Sequence, residues 1–159
     1  MYYGEFTVSF DDKGRMTLPR RIRGLSEGLG HVIWYLARGF DGSINLYNQD
    51  EWRKIEAQMA TLNSMNGQAL AFKRFFMASV ADAKLDDMGR MNIPQHLRDM
   101  AGLGKEAILI GVGDHLELWN AEAWRAYQRQ QEAVFTEMAG RLFAPTAGAT
   151  QTEGAERHA

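Results

Sequence analysis

Two aspartates, Asp11 and Asp86, each stand four residues before an arginine, Arg15 or Arg90, and a glycine, Gly14 or Gly89, directly precedes each arginine. A guanidinium just beyond a tight turn can project from a sheet surface towards a phosphate or, through parallel N–H groups, towards a guanine edge. The competing reading is a local ion pair with the carboxylate four residues back. The aspartates suit DNA contact poorly, because a carboxylate repels phosphate. They are better placed to cap turn N–H groups or to hold the arginines, while Gly14 and Gly89 supply the positive φ that a chain reversal needs. Lys13, Arg20, Arg21 and Arg23 surround Arg15, so residues 13–23 carry five cations and no acid. Several phosphate contacts acting together give DNA-binding proteins their affinity. This cluster therefore reads as a phosphate-positioning set, with a solvated helix face as its alternative, and base reading falls to Arg15 and Arg90.

A second chemistry is conceivable from the carboxylate pairs Asp11/Asp12 and Asp86/Asp87, which a twofold arrangement could bring together as a metal or acid–base site. Neighbouring residues of an extended chain point to opposite faces, so each pair offers at most one carboxylate to such a site. No histidine, cysteine or serine constellation accompanies them. His31, His96, His115 and His158 show no ligand spacing, cysteine is absent, and neither a metal nor a cofactor is expected.

The elements that carry these residues are repeated. DDKGRMTLP at 11–19 returns as DDMGRMNIP at 86–94 with six of nine positions identical, and NLYNQDEW at 45–52 returns as ELWNAEAW at 117–124. The offset is 75 residues at the first block and 72 at the second, a three-residue deletion in the loops of copy two. Two copies are too few for a solenoid. Units this small are marginal alone, so a shared core in one pseudo-twofold body is expected. Charge has diverged where the motif has not: residues 88–98 hold only Arg90 and Arg98, with His96.

Within each copy the apolar pattern predicts strand, turn, strand, short helix, hairpin and longer helix. Phe6, Val8 and Phe10 alternate with polar residues up to the first turn, and Met16 and Leu18 follow it. Ala81, Ala83 and Leu85, then Met91 and Ile93, keep the same parity in copy two. Pro19 and Pro94 suit the first turn of the helices RRIRGL and QHLRDMAG, the second stopped by Gly102. HVIWYLA at 31–37 with SINLY at 43–47, and AILIGV at 107–112 with HLELW at 115–119, form the hairpins. Asn48, with Glu51, and Asn120 cap the longer helices, whose stripes Trp52, Ile55, Met59, Leu62 and Trp124, Tyr127, Val134, Met138 are core-like. A helix over 66–77 carries surplus aromatics, Phe72, Phe75 and Phe76, which suggest a subunit contact. From Ala144 onward no periodic apolar residue remains, and a disordered tail is expected. The domains are therefore 1–64, a connecting helix at 65–77, 78–143, and the tail 144–159.

The 45% hydrophobic content is ordinary for a globular chain and the net charge is only −2, so no global basic field marks a nucleic-acid partner. There is no bilayer-spanning apolar run, and MYYGEF lacks the regions of a signal peptide. A cytoplasmic protein is expected, which the absence of cysteine suits.

The paired Asp-x-x-x-Arg motifs, each in a strand-turn-strand before a proline, resemble those of the MraZ family, whose two modules are similar to AbrB-type swapped-hairpin domains. The resemblance covers residues 1 to about 143 and includes both Trp-led helices. It implies an α+β fold in which a duplicated AbrB/MraZ-like swapped-hairpin β-barrel carries flanking helices. It also implies ring-shaped homo-oligomers and a nucleoid-associated, DNA-binding transcriptional regulator rather than an enzyme, with no small-molecule substrate. Its sites would be repeats in double-stranded DNA upstream of the division and cell-wall gene cluster, including its own promoter. An antitoxin-like or scaffolding module of the same fold is the alternative.

Overall fold

The computed structural model describes residues 1–144; the expected tail, apart from Ala144, lies outside them. Among the described residues the order is β1 (Tyr2–Ser9), β2 (Arg15–Thr17), α1 (Arg20–Gly28), β3 (Ile33–Arg38), β4 (Ile44–Asn48), α2 (Gln49–Thr61) and α3 (Gly67–Ser79). Copy two repeats it with β5 (Ala81–Lys84), β6 (Arg90–Asn92), α4 (Gln95–Met100), β7 (Glu106–Gly113), β8 (Leu116–Trp119) and α5 (Ala121–Phe143). All eight strands lie in one compact unit, Met1–Trp124; a second unit starts at Arg125, within α5. No helix among the described residues is long and apolar enough to cross a membrane.

The copies interleave. One antiparallel sheet has the order β1-β7-β8-β4-β3-β5, and β2 pairs with β6 in a second. The first strand of copy one thus pairs with the third strand of copy two over eight residues, from Tyr2 opposite Gly113 to Ser9 opposite Glu106. Conversely, β5 of copy two pairs with β3 of copy one. The pairs β4–β8 and β2–β6 join equivalent strands of the two copies. The ladder does not run unbroken round a barrel. Among the described residues β1 and β2 share no ladder; the isolated bridge between Phe10 and Met16 joins them beside the reversal over 11–14.

Residues of both copies fill one core. Met16, Leu18, Ile22, Trp34, Leu36 and Leu46 of copy one pack with Met91, Ile93, Leu97, Leu109, Leu116 and Leu118 of copy two. The alternation read in the sequence explains the faces: Met16 and Met91 point in while Thr17 and Asn92 are exposed. A smaller core, Ala37, Tyr47, Trp52 and Phe76, lies where α2 and α3 cover β3 and β4.

Several local expectations change. Pro19 and Pro94 stand at the N-caps of α1 and α4, one position before the first helical turn. Asn48 accepts from Glu51 N, but the Glu51 carboxylate takes Lys54 at 2.8 Å instead of closing a capping box, Asn48 being itself the last residue of β4. Of the three surplus phenylalanines, Phe76 is 5% exposed and belongs to the smaller core. Phe72 and Phe75 are 39% and 62% exposed and are joined by Phe40, at 82%, from the β3–β4 loop. Phe40 stacks on Phe72 and Arg38 lies over Phe75, around a cavity of about 300 Å³. The apolar stripe expected to bury α5 does not do so: none of its residues is buried.

Candidate nucleic-acid interface

Each Asp-x-x-x-Arg motif folds into the same closed turn. Asp11 O accepts from Gly14 N at 3.0 Å and Asp11 N donates to Arg15 O at 3.0 Å; Asp86, Gly89 and Arg90 repeat this at 3.0 and 2.9 Å. Gly14 and Gly89 hold φ of +76° and +74°, a region that costs a side chain dearly, and so let a three-residue loop reverse the chain. The Asp11 carboxylate completes the turn: Oδ1 accepts from Lys13 N and Arg15 N at 3.0 and 2.9 Å, and Oδ2 accepts from Arg15 Nε at 2.7 Å. Asp86 does the same with Met88 N, Arg90 N and Arg90 Nε at 2.9, 2.9 and 2.7 Å.

The backbone N–H of Arg15 does most to hold the Asp11 carboxyl below its ordinary 3.8; desolvation opposes it, and the Arg15 side chain and the Lys13 N–H add to the lowering. Arg90 acts in the same way on Asp86. Both aspartates are thus committed, charged braces. An acid–base residue would need the opposite shift, towards the working pH. Among the described residues no group of three or more histidines or carboxylates could hold a metal.

The local ion pair expected of each arginine is present. Each guanidinium is tied to its aspartate through Nε only; its terminal nitrogens make no hydrogen bond among the described residues. The ion pair therefore aims the fork without consuming it. Pairing of β2 with β6 sets Arg15 opposite Asn92 and Thr17 opposite Arg90. Directly opposite residues share a face, and the buried Met16–Met91 pair fixes the other face as inward. Two arginines, a threonine and an asparagine thus line the outer face of one two-stranded ribbon. Sequence reading missed Thr17 and Asn92; their parity with Arg15 and Arg90 was the available signal.

The remaining cations separate. Lys13, at the tip of its turn, and Arg20, at the start of α1, are exposed. Arg21 turns to the edge of β1, where it lies over the Tyr3 ring at 4.1 Å and the Phe6 ring at 5.1 Å and donates to Tyr3 O. Arg23 is half-buried; its Nε meets Glu27 at 2.7 Å and its Nη2 donates to Asp87 O at 2.8 Å. The five cations are therefore not one patch. Lys13, Arg15 and Arg20 lie on or beside the ribbon, whereas Arg21 and Arg23 are engaged within the protein.

Comparison with known proteins agrees with the duplication. A family model described as "MraZ protein, putative antitoxin-like" matches the chain twice, at residues 1–75 and 76–145. The chain is 38% identical over 139 residues to a protein of Natranaerobius thermophilus named transcriptional regulator MraZ, covering 87% of this chain and 94% of that one. A protein of the same name from Lactiplantibacillus plantarum is 39% identical over 142 residues, covering 89% and 98%.

Proposed function

The chain belongs to the MraZ family, and from that membership we propose that it is a DNA-binding transcriptional regulator and not an enzyme. The observation that carries the reading is the outer face of the β2–β6 ribbon, where Arg15 and Arg90 stand with Thr17 and Asn92. The major groove of B-DNA admits a two-stranded ribbon; arginine suits a guanine edge and asparagine an adenine. Arg15 and Arg90 read bases, while Lys13 and Arg20 supply phosphate contact and Arg21 adds only its positive field. Asp11, Gly14, Asp86 and Gly89 keep the turns closed.

In this reading residues 1–64 and 78–143 are two modules joined by a helix at 65–77, and the two sheets act together as a swapped-hairpin barrel. The protein works in the cytoplasm at the nucleoid, on repeats upstream of the division and cell-wall gene cluster that include its own promoter. The exposed Phe40, Phe72 and Phe75 favour assembly into a ring, which multiplies a weak module contact when the operator repeats match subunit spacing.

The test is a titration of the full chain with duplex from upstream of its own gene and with a scrambled duplex, at two salt concentrations. The upstream duplex is bound more tightly; Arg15→Ala or Arg90→Ala reduces that preference by about 1–3 kcal/mol. Equal affinity of the unaltered protein for both duplexes would leave the scaffolding or antitoxin-like reading in its place. Light scattering at micromolar concentration reports the assembly, and a monomer there removes the ring.

A further inference from the structure

Arg23 and Arg98 stand 75 residues apart, the offset that relates Asp11 to Asp86, and each reaches into the opposite copy. Arg98 leaves α4 and lays its guanidinium against Gly14 in the turn of copy one. A methyl group on Gly14 would come within 2.6 Å of Arg98 Nη2 and 2.7 Å of its Cζ. Arg23 leaves α1 and lies against Gly89 in the turn of copy two, where an added methyl would come within 2.7 Å of its Cδ and 2.8 Å of its Nη1. The same glycines are held through their carbonyls: Ile93 N donates to Gly14 O at 3.1 Å, and Leu18 N to Gly89 O at 2.9 Å. Arg98 Nε is fixed on Ile93 O at 2.8 Å, and Arg23 is fixed on Glu27 and Asp87 O.

We propose that Arg98 and Arg23 are crossed positioning residues for DNA recognition, Arg98 setting the pose of Arg15 and Arg23 setting the pose of Arg90. The inference rests on the DNA-binding reading given above. Gly14 and Gly89 immediately precede the reading arginines, so their backbone angles aim the following Cα–Cβ bond. Glycine has the widest choice of those angles. An arginine side chain laid against the glycine where a Cβ would stand, with the glycine carbonyl held by a backbone N–H of that arginine's own copy, removes that choice. Each copy therefore steers the arginine of the other, and the two fingers are tied to one frame.

The experiment is a double-mutant cycle on the full chain, reading the ratio of affinity for upstream against scrambled duplex. Arg98→Ala lowers that ratio on the order of tenfold. It adds nothing to Arg15→Ala and its full effect to Arg90→Ala; Arg23→Ala behaves in the opposite sense. Arg98→Lys keeps the charge without the plane and fails like alanine, whereas a direct phosphate contact would survive it. Amide hydrogen exchange supplies a readout without DNA: Arg98→Ala speeds exchange at Gly14 and Arg15 and leaves Gly89 and Arg90 at the rates of the unaltered protein. Additivity of Arg98→Ala with Arg15→Ala, or unchanged exchange at Gly14 and Arg15, overturns the proposal. If Arg15→Ala and Arg90→Ala themselves leave the ratio intact, the DNA reading falls, and the exchange rates still decide whether the crossed brace exists. Arg98→Lys serves for both measurements if Arg98→Ala melts too early.

Discussion

Trp52 and Trp124 open the corresponding helices of the two copies, yet one is sealed and the other stands half-exposed. Trp52 is covered by α3 through Phe76 and stacks on Tyr35 with ring centres 5.2 Å apart. Trp124 meets Trp119 at 5.3 Å and donates to Glu5. The arginine turns show the reverse relation: their hydrogen bonds agree between copies to about a tenth of an ångström, while Lys13, Arg20 and Arg21 face Met88, Gln95 and His96 at the matching positions. Duplication has kept what aims the arginines and relaxed what surrounds them. A turn closed by an aspartate, a positive-φ glycine and an arginine tolerates little change; a surface charge or a helix cover tolerates much.

The largest test of this difference is to truncate both tryptophans. Trp52→Ala costs about 3–5 kcal/mol, as buried aromatics do, and Trp124→Ala about 0.5–1.5 kcal/mol, measured by urea unfolding. Equal losses would remove the asymmetry of the covers. A shared core makes the opposite statement about Leu46 and Leu118, both fully buried in it. Each alanine substitution costs about 2–5 kcal/mol, and each variant unfolds in one transition. A biphasic melt in either would divide the core between the copies.

Smaller effects follow from charge. Placing Met88→Lys and Gln95→Arg in copy two tightens binding to any duplex and steepens its salt dependence by roughly one unit per new phosphate contact. Lys13→Ala and Arg20→Ala flatten it equally. If the ratio of upstream to scrambled affinity shifts as well, these positions read bases. The smallest effect belongs to His115, whose place in copy one is taken by Ser43. Burial lowers the pKa of His115, but hydrogen bonds to Glu117 and Asp114 at 3.1 and 2.6 Å outweigh it and leave it above the ordinary 6.5. A raised folded pKa means stability fully present below the unfolded value and lost as pH rises through the folded one. Thermal melts taken upward from pH 6 therefore show a decline that His115→Gln abolishes; an unchanged decline assigns it to another group.

Much of this was legible in the chain. The repeat, the turn chemistry of Asp11 and Gly14, and the parity of Met16 and Met91 are local signals, and local signals survive into the fold. Period two names the face of a strand but not its neighbour, so nothing in residues 2–9 announced that they pair with 106–113. The same limit applied to the cations. Arg21 and Arg23 read as members of one basic run because their partners, Tyr3 O and Asp87 O, are distant in sequence. Phe76 and Phe40 exchanged roles for the same reason, since burial depends on what α3 meets.

The pairing of β1 with β7 sets a schedule for synthesis. Val8 must wait for Ala107, 99 residues later, before it has a strand beside it. At a translation rate of roughly 5–20 residues per second, that interval lasts about 5–20 s. During it the apolar face of copy one is exposed beside a growing chain, and a premature stop before β7 leaves β1 without a neighbour. The interleaved sheet therefore ties the first strand made to one of the last: the β2–β6 ribbon can close once Asn92 has emerged, but β1 has its neighbour only after Gly113.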